Sequence, residues 1–136
     1  MQAVILRVLV VDDSEIVRRG ICQILQSQAD IEVVCEAADG ADAVRKVREH
    51  RPDVVLMDIN MPLMNGFEAA RRIKHEFPSI LIVVVSQSDS APFAREAIAA
   101  GASAYVMKSN ASTELIPAVR KLLSQHAANL RGSSNG

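Results

Sequence analysis

Short, strongly apolar runs alternate with stretches of helical periodicity along this chain, and this alternation limits the folds that are open to it. Four apolar runs cover residues 7–11, 54–57, 80–85 and 104–107, and the first three are rich in Val, Ile and Leu. Runs of this kind are typical of strands in a parallel sheet that is buried on both faces. Residues 31–37 predict a fifth strand.

The stretches between the strands have the periodicity of amphipathic helices. Helices are predicted over residues 14–27, 41–50, 67–77, 90–100 and 112–127. Strict alternation of strand and helix predicts βαβ units with right-handed crossovers. At 136 residues the chain has the length of one domain, so we expect a single doubly wound α/β sandwich.

Several residues refine the predicted helices. One apolar stripe of the first helix is predicted to contain Ile16, Val17, Ile21, Ile24 and Leu25. Gly101 has the position of a left-handed C-cap after the fourth helix. Pro117 would lose a helical hydrogen bond, so the last helix is expected either to start later than residue 112 or to be kinked.

Polar residues directly follow four of the predicted strands. They are Asp12 with Asp13, Asp58, Ser86 and Lys108. The crevice beyond the carboxyl ends of parallel strands is where ligands bind in open α/β sheets, so this placement predicts a site.

Taken singly, each of these residues has a simpler interpretation. Asp12 and Asp13 could cap the first helix, and Asp58 could be a turn residue before Pro62. Ser86 is uninformative alone, and Lys108 taken singly has the interpretation of a solvated surface lysine. Complementary chemistry at four strand ends of one fold favours a shared site.

The chemistry of this predicted site suits phosphoryl transfer. Three converging carboxylates repel each other unless a cation neutralises them, and oxygen ligands without His or Cys favour Mg²⁺ or Mn²⁺. Lys108 offers a positive charge and Ser86 a hydroxyl donor to a phosphoryl group. Asp58 is the candidate nucleophile, since a carboxylate can form an acyl phosphate.

Composition and charge argue against several other functions. The formal net charge is −1, which argues against nucleic-acid binding by this segment. No apolar stretch is long enough to span a bilayer, and the N-terminus lacks the features of a secretory signal. Cys22 and Cys35 lack a paired spacing and are expected to be free thiols in a reducing cytoplasm. His50, His75 and His126 lack ligand spacing and are expected on helix surfaces.

The chain closely resembles the receiver domain of bacterial two-component response regulators over residues 4–127. The motifs that carry this resemblance are VVDDS at 10–14, MDINMPLMNG at 57–66, VS at 85–86 and YVMK at 105–108. IEVV at 31–34, EAADG at 36–40 and AGASAY at 100–105 look most like the NarL/FixJ (LuxR-type) subfamily. The resemblance implies a flavodoxin-like fold with strand order 2-1-3-4-5.

The resemblance also implies how the acidic residues work. Asp58 would accept the phosphoryl group from the phosphohistidine of a sensor histidine kinase. Asp13 and Asp58 would hold Mg²⁺ directly, with the Asn60 backbone carbonyl as a further ligand and Asp12 acting mainly through water.

Three further residues would form the switch. Lys108 would pair with the phosphoryl group, Ser86 would swing towards it, and Tyr105 would follow into a more buried rotamer. Phosphorylation then favours one of two states through the contacts made only in that state. The domain would be a signalling module whose only chemistry is its own phosphorylation and dephosphorylation.

Two departures from the receiver pattern stand out. Ser109 follows Lys108 where many receivers have a proline after a cis peptide bond, although NarL/FixJ-type receivers often lack that proline. Gln87 follows Ser86 where small residues are usual. At the mouth of the crevice, Gln87 and Ser88 are expected to modulate access to the phosphoacceptor.

Domain organisation and partners are further expectations. Residues 4–128 would form the receiver domain and residues 129–136 a linker to an absent C-terminal effector domain. That effector would be a helix-turn-helix domain through which DNA is bound, with homodimerisation on phosphorylation and no membrane contact.

Two alternatives remain open. The chain could be a stand-alone receiver that acts as a phosphorelay shuttle or protein-binding switch. A flavodoxin-like enzyme or cofactor-binding protein is disfavoured, because no Gly-rich phosphate loop follows the first strand and aromatic residues are only 3%.

Overall fold

The computed structural model describes residues 5–59, 66–87 and 91–134. The strands are β1 (Leu6–Val11), β2 (Ile31–Ala37), β3 (Val54–Met57), β4 (Leu81–Ser86) and β5 (Ala104–Met107). The helices are α1 (Glu15–Gln26), α2 (Gly40–His50), α3 (Gly66–Glu76), α4 (Ala91–Ala99) and α5 (Ala111–Ser134), with a 3₁₀ turn at Lys108–Asn110. Most predicted element ends agree with these within one residue.

All the strands are parallel and form one sheet in the order β2-β1-β3-β4-β5. This confirms the predicted flavodoxin-like topology. The register aligns the carboxyl ends: Val11 pairs with Met57, and Met57 pairs with Val84. The residues that follow β1 and β3, namely Asp12 and Asp58, therefore emerge side by side at one edge.

The sheet is buried on both faces because helices cover each of them. Alternate residues of one strand enter different cores: Leu9 and Val11 pack with α2, α3 and α4, whereas Val8 and Val10 pack with α1 and α5. This arrangement explains why the strands are continuous apolar runs with no polar face.

The apolar stripe predicted for α1 is wrong at one position. Ile16 is 85% exposed, whereas Ile21 and Leu25 are buried. Ile16 lies on the same side of the helix as Arg19 and Gln23, which are also exposed, since residues three and seven apart share a helix face.

Helix α5 differs from its prediction at both ends. It begins at Ala111 and contains Pro117, so the expectation of a later start is wrong. Burial of Leu115 and Val119 supplies the stabilisation that the proline removes locally. The helix continues beyond residue 127 to Ser134, through most of the segment whose composition suggests a linker.

The predicted C-cap at Gly101 is confirmed. Gly101 has a positive φ of 108° after α4, as a left-handed C-cap requires. Cys22 is buried, Cys35 is half-buried, and both are free thiols. His50 is half-buried on α2 and His75 is exposed on α3, whereas the side chain of His126 lies outside what the structure describes. Within the described ranges, no helix combines the length and apolarity needed to cross a bilayer.

Candidate functional site

The acidic pair Asp12 and Asp13 lies between β1 and α1. The Asp12 amide donates to the Ala37 carbonyl at 3.1 Å, which ties the end of β1 to the end of β2. Its Oδ1 accepts a hydrogen bond from the Ser14 amide at 2.9 Å, while Ser14 itself caps α1. Asp12 is 1% exposed and Asp13 is exposed. The capping interpretation of Asp12 is therefore correct in part, because one of its carboxylate oxygens holds the helix entry.

Asp58 directly follows β3 and is only 3% exposed. Its amide donates to the Val11 carbonyl at 3.0 Å, so the ends of β1 and β3 are held together up to the site. Gly66, the first residue of α3, packs against the other side of this backbone. A Cβ at position 66 would lie 2.3 Å from the Asp58 carbonyl oxygen, so only glycine fits there without a shift.

Asp12, Asp13 and Asp58 come together at the carboxyl edge of the sheet. Each offers one carboxylate oxygen, and these oxygens lie within 4.8 Å of one another. Lys108 comes from the turn after β5, with its Nζ 2.9 Å from Asp12 Oδ2 and 3.3 Å from Asp58 Oδ2. Burial by itself would lower the pKa of Lys108, but the carboxylates of Asp12 and Asp58 outweigh burial and raise it. The ammonium is thus held charged beside the acidic group.

This cluster fits a hard divalent cation. Asp12 Oδ2 is buried, and within the described part of the chain the Lys108 ammonium lies 2.9 Å from it. Three carboxylates beside one ammonium still leave net negative charge at the site, which a divalent cation would neutralise. The donor set consists of oxygens alone, which is the set that Mg²⁺ or Mn²⁺ prefers.

The remaining predicted site residues lie around this cluster or outside the described residues. Ser86 is fully buried at the end of β4, Tyr105 is half-buried in β5, and Gln87 is exposed. Asn60 and Ser88, predicted as a metal ligand and an access-modulating residue, lie outside the described residues. The described peptide bonds are all trans, including the bond between Lys108 and Ser109.

Comparison with known proteins assigns this fold and site to a family. The profile of the response regulator receiver domain matches residues 8–120. The chain belongs to this family.

Two relatives of this receiver domain are named as regulators. It is 40% identical over 115 residues to the response regulator GacA of Pseudomonas viridiflava, which covers 85% of this chain and 54% of GacA. It is 37% identical to the transcriptional regulatory protein DegU of Brevibacillus brevis, over 85% of this chain and 49% of DegU. The chain therefore spans about half the length of these relatives.

A solved structure of a response regulator has the same fold. The two-component response regulator of the LuxR family from Aurantimonas sp. SI85-9A1 superposes with a TM-score of 0.85 at 37% identity, covering 89% of this chain and 86% of that one. The subfamily resemblance seen in the sequence is confirmed.

Two residues with contacts in the receiver site were not assigned a role from the sequence. The side chain of Arg18 donates to the Asp12 carbonyl, and Gly66 packs on the Asp58 backbone. Arg18 gives no signal in the sequence, because it belongs to an ordinary amphipathic helix. Gly66 is the last residue of the motif at 57–66, but its close approach to Asp58 depends on the packing of α3.

Proposed function

We propose that this receiver domain accepts a phosphoryl group on Asp58 from a sensor histidine kinase, in the presence of Mg²⁺ or Mn²⁺. The observation that carries the proposal is the convergence of three carboxylates and the Lys108 ammonium at one sheet edge. Asp13 and Asp58 would hold the cation through carboxylate oxygens, Asn60 through its backbone carbonyl, and Asp12 mainly through water. The bound cation would neutralise charge on the phosphoryl oxygens.

The chemistry of transfer follows from the position of Asp58. A carboxylate oxygen attacks the phosphorus in line, an O–P bond forms as the N–P bond of the phosphohistidine breaks, and the electron pair returns to the imidazole nitrogen. Lys108 already contacts Asp58 Oδ2 and exchanges this contact for a phosphoryl oxygen. Burial of Asp58 keeps bulk water away from the reacting atoms.

The switch would use the neighbouring strands. Ser86, at the end of β4, donates its hydroxyl to the phosphoryl group, and Tyr105 on β5 moves towards the space that Ser86 leaves. Ser86 is buried and Tyr105 half-buried, which supports a rearrangement of packed side chains. Such a pair supplies the two discrete states that a switch requires.

Intact-protein mass spectrometry tests the phosphoacceptor. With a small acyl-phosphate donor and Mg²⁺, the parent protein should gain one phosphoryl adduct, and Asp58→Asn should gain none. Asp53→Asn is the matched control, because Asp53 lies at the opposite end of β3 and holds the Arg7 amide. An equal adduct in Asp58→Asn would refute the assignment.

The output is a second part of the proposal. The domain would control an attached helix-turn-helix domain that binds DNA, with homodimerisation on phosphorylation, in the cytoplasm. The length of the relatives, about twice that of the matched segment, supports an attached domain. Reading the coding sequence beyond Gly136 separates this output from a stand-alone phosphorelay shuttle or protein-binding switch.

A further inference from the structure

Arg18 connects the acidic pair to two other elements. It lies in the first turns of α1, and its side chain is only 17% exposed. Its Nη1 donates to the Asp12 carbonyl at 2.8 Å, and its Nε donates to Glu36 Oε1 on β2 at 2.9 Å. One guanidinium thus contacts the end of β1 and the end of β2 at once.

The contact with the Asp12 carbonyl bears on Asp13. The carbonyl of Asp12 and the amide of Asp13 belong to one planar peptide unit, so holding the oxygen fixes the plane from which Asp13 continues. The Asp12 amide and Oδ1 are already fixed by Ala37 and Ser14. Arg18 holds the next peptide unit, the one that ends at the Asp13 Cα from which the side chain extends.

The second contact keeps the guanidinium in place. Glu36 accepts from Nε, and its own carbonyl accepts a hydrogen bond from Lys46 of α2. Two acceptors on different elements suit the rigid fork of arginine, whereas a lysine ammonium is a point charge on a flexible stem. A lysine at position 18 could contact the Asp12 carbonyl or the Glu36 carboxylate in good geometry, but not both at once.

We infer that Arg18 is a positioning residue for the divalent cation site, acting on Asp13 through the peptide between Asp12 and Asp13. The inference rests on the proposed function, in which Asp13 and Asp58 hold the cation. Residues that orient metal ligands without touching the metal affect affinity on the order of 10- to 100-fold when they are replaced.

Calorimetric titration with MgCl₂ tests the inference on the whole chain. Arg18→Gln should weaken Mg²⁺ binding on the order of 10-fold, and Arg18→Lys should recover part of the loss. Arg19→Gln is the matched control: it removes the same charge from the next position, where Arg19 is exposed and pairs only with Glu15 in the described structure. Arg19→Gln should bind as the parent does.

A metal-free measurement separates positioning from general destabilisation. In ¹H–¹⁵N NMR spectra without Mg²⁺, the Asp13 amide should shift and broaden in Arg18→Gln and stay unchanged in Arg19→Gln. Glu36→Gln, which weakens the second contact but keeps the Arg18 guanidinium that donates to the Asp12 carbonyl, should change the same amide less.

The outcomes are distinguishable. Equal Mg²⁺ affinity in Arg18→Gln and Arg19→Gln, with normal binding by the parent, would overturn this inference alone. So would an unchanged Asp13 amide in Arg18→Gln. Absence of Mg²⁺ binding by the parent would overturn the proposed function together with the inference.

Discussion

Replacing Gly66 by alanine would place a methyl group against the backbone of Asp58, the proposed phosphoacceptor. The new Cβ would lie 2.3 Å from the Asp58 carbonyl oxygen and 2.6 Å from the Ile59 Cα. Non-bonded heavy atoms prefer separations of about 3.5–4.0 Å, so the two segments must part by about 1 Å. Both contacts are backbone atoms at the end of β3, so no flexible side chain can absorb the shift.

Two effects follow for Gly66→Ala, one on stability and one on the rate of phosphorylation. Overpacking of this kind costs about 1–3 kcal/mol, and the gain of alanine over glycine in a helix offsets up to about 1 kcal/mol. We therefore expect a lower free energy of unfolding. A displacement of about 1 Å at a reacting group costs on the order of 10²-fold in rate, so phosphorylation of Asp58 should slow by about that factor.

Urea denaturation and a phosphorylation time course with a small acyl-phosphate donor at saturating Mg²⁺ measure the two effects. Gly20→Ala is the matched control, because Gly20 is also helical and a Cβ there meets no atom within 4 Å. That control should gain about 0.5–1 kcal/mol and keep the parental rate. A Gly66→Ala protein with parental rate would show that α3 yields without moving Asp58, contrary to the reasoning.

Three other substitutions test separate parts of the structure. Asp13→Ala should remove the rise in melting temperature that Mg²⁺ gives the parent protein. The metal-free variant should be as stable as the parent or more stable, because carboxylate repulsion is relieved. A rise with Mg²⁺ equal to that of the parent would contradict the metal site. Gln87→Ala should speed phosphorylation by a small donor, measured by stopped flow, because Gln87 is exposed beside Ser86; an unchanged or slower rate would exclude a gating role. Burial raises the pKa of the Cys22 thiol from 9.0 to about 11. The contribution of the protonated thiol to the free energy of unfolding is therefore complete below pH 9.0 and is lost as the pH rises towards 11. Over this pH range, the free energy of unfolding measured by urea denaturation should fall less in Cys22→Ala than in the parent. An identical fall in the two proteins would contradict this reasoning.

The sheet and the acidic group were predictable because both follow from the strands. A strand buried on both faces must be continuously apolar, so the first polar residue after it marks its end. Parallel topology then brings such ends to one edge, which is why Asp12, Asp58 and Lys108 meet as expected.

Other features were mispredicted or missed from the sequence because they depend on contacts between secondary-structure elements. Ile16 fits an apolar stripe by periodicity, yet its side of α1 faces away from the sheet. Pro117 argues against a helix locally, but burial of Leu115 and Val119 outweighs it. Arg18 and Gly66 act on the backbones of distant residues, and neither spacing nor residue type indicates such contacts.

The charges at the site suggest how phosphorylation would be sensed. Three carboxylates and one ammonium give a formal charge of minus two, which one divalent cation neutralises. Phosphorylation of Asp58 replaces one carboxylate charge by a group of about −1.5 to −2, so the net change is at most about one unit. A change this small, beside a bound cation and Lys108, is a weak long-range signal in salt. We therefore propose that the phosphorylated state is read through short-range contacts, in which the buried Ser86 hydroxyl at the end of β4 would take the main part.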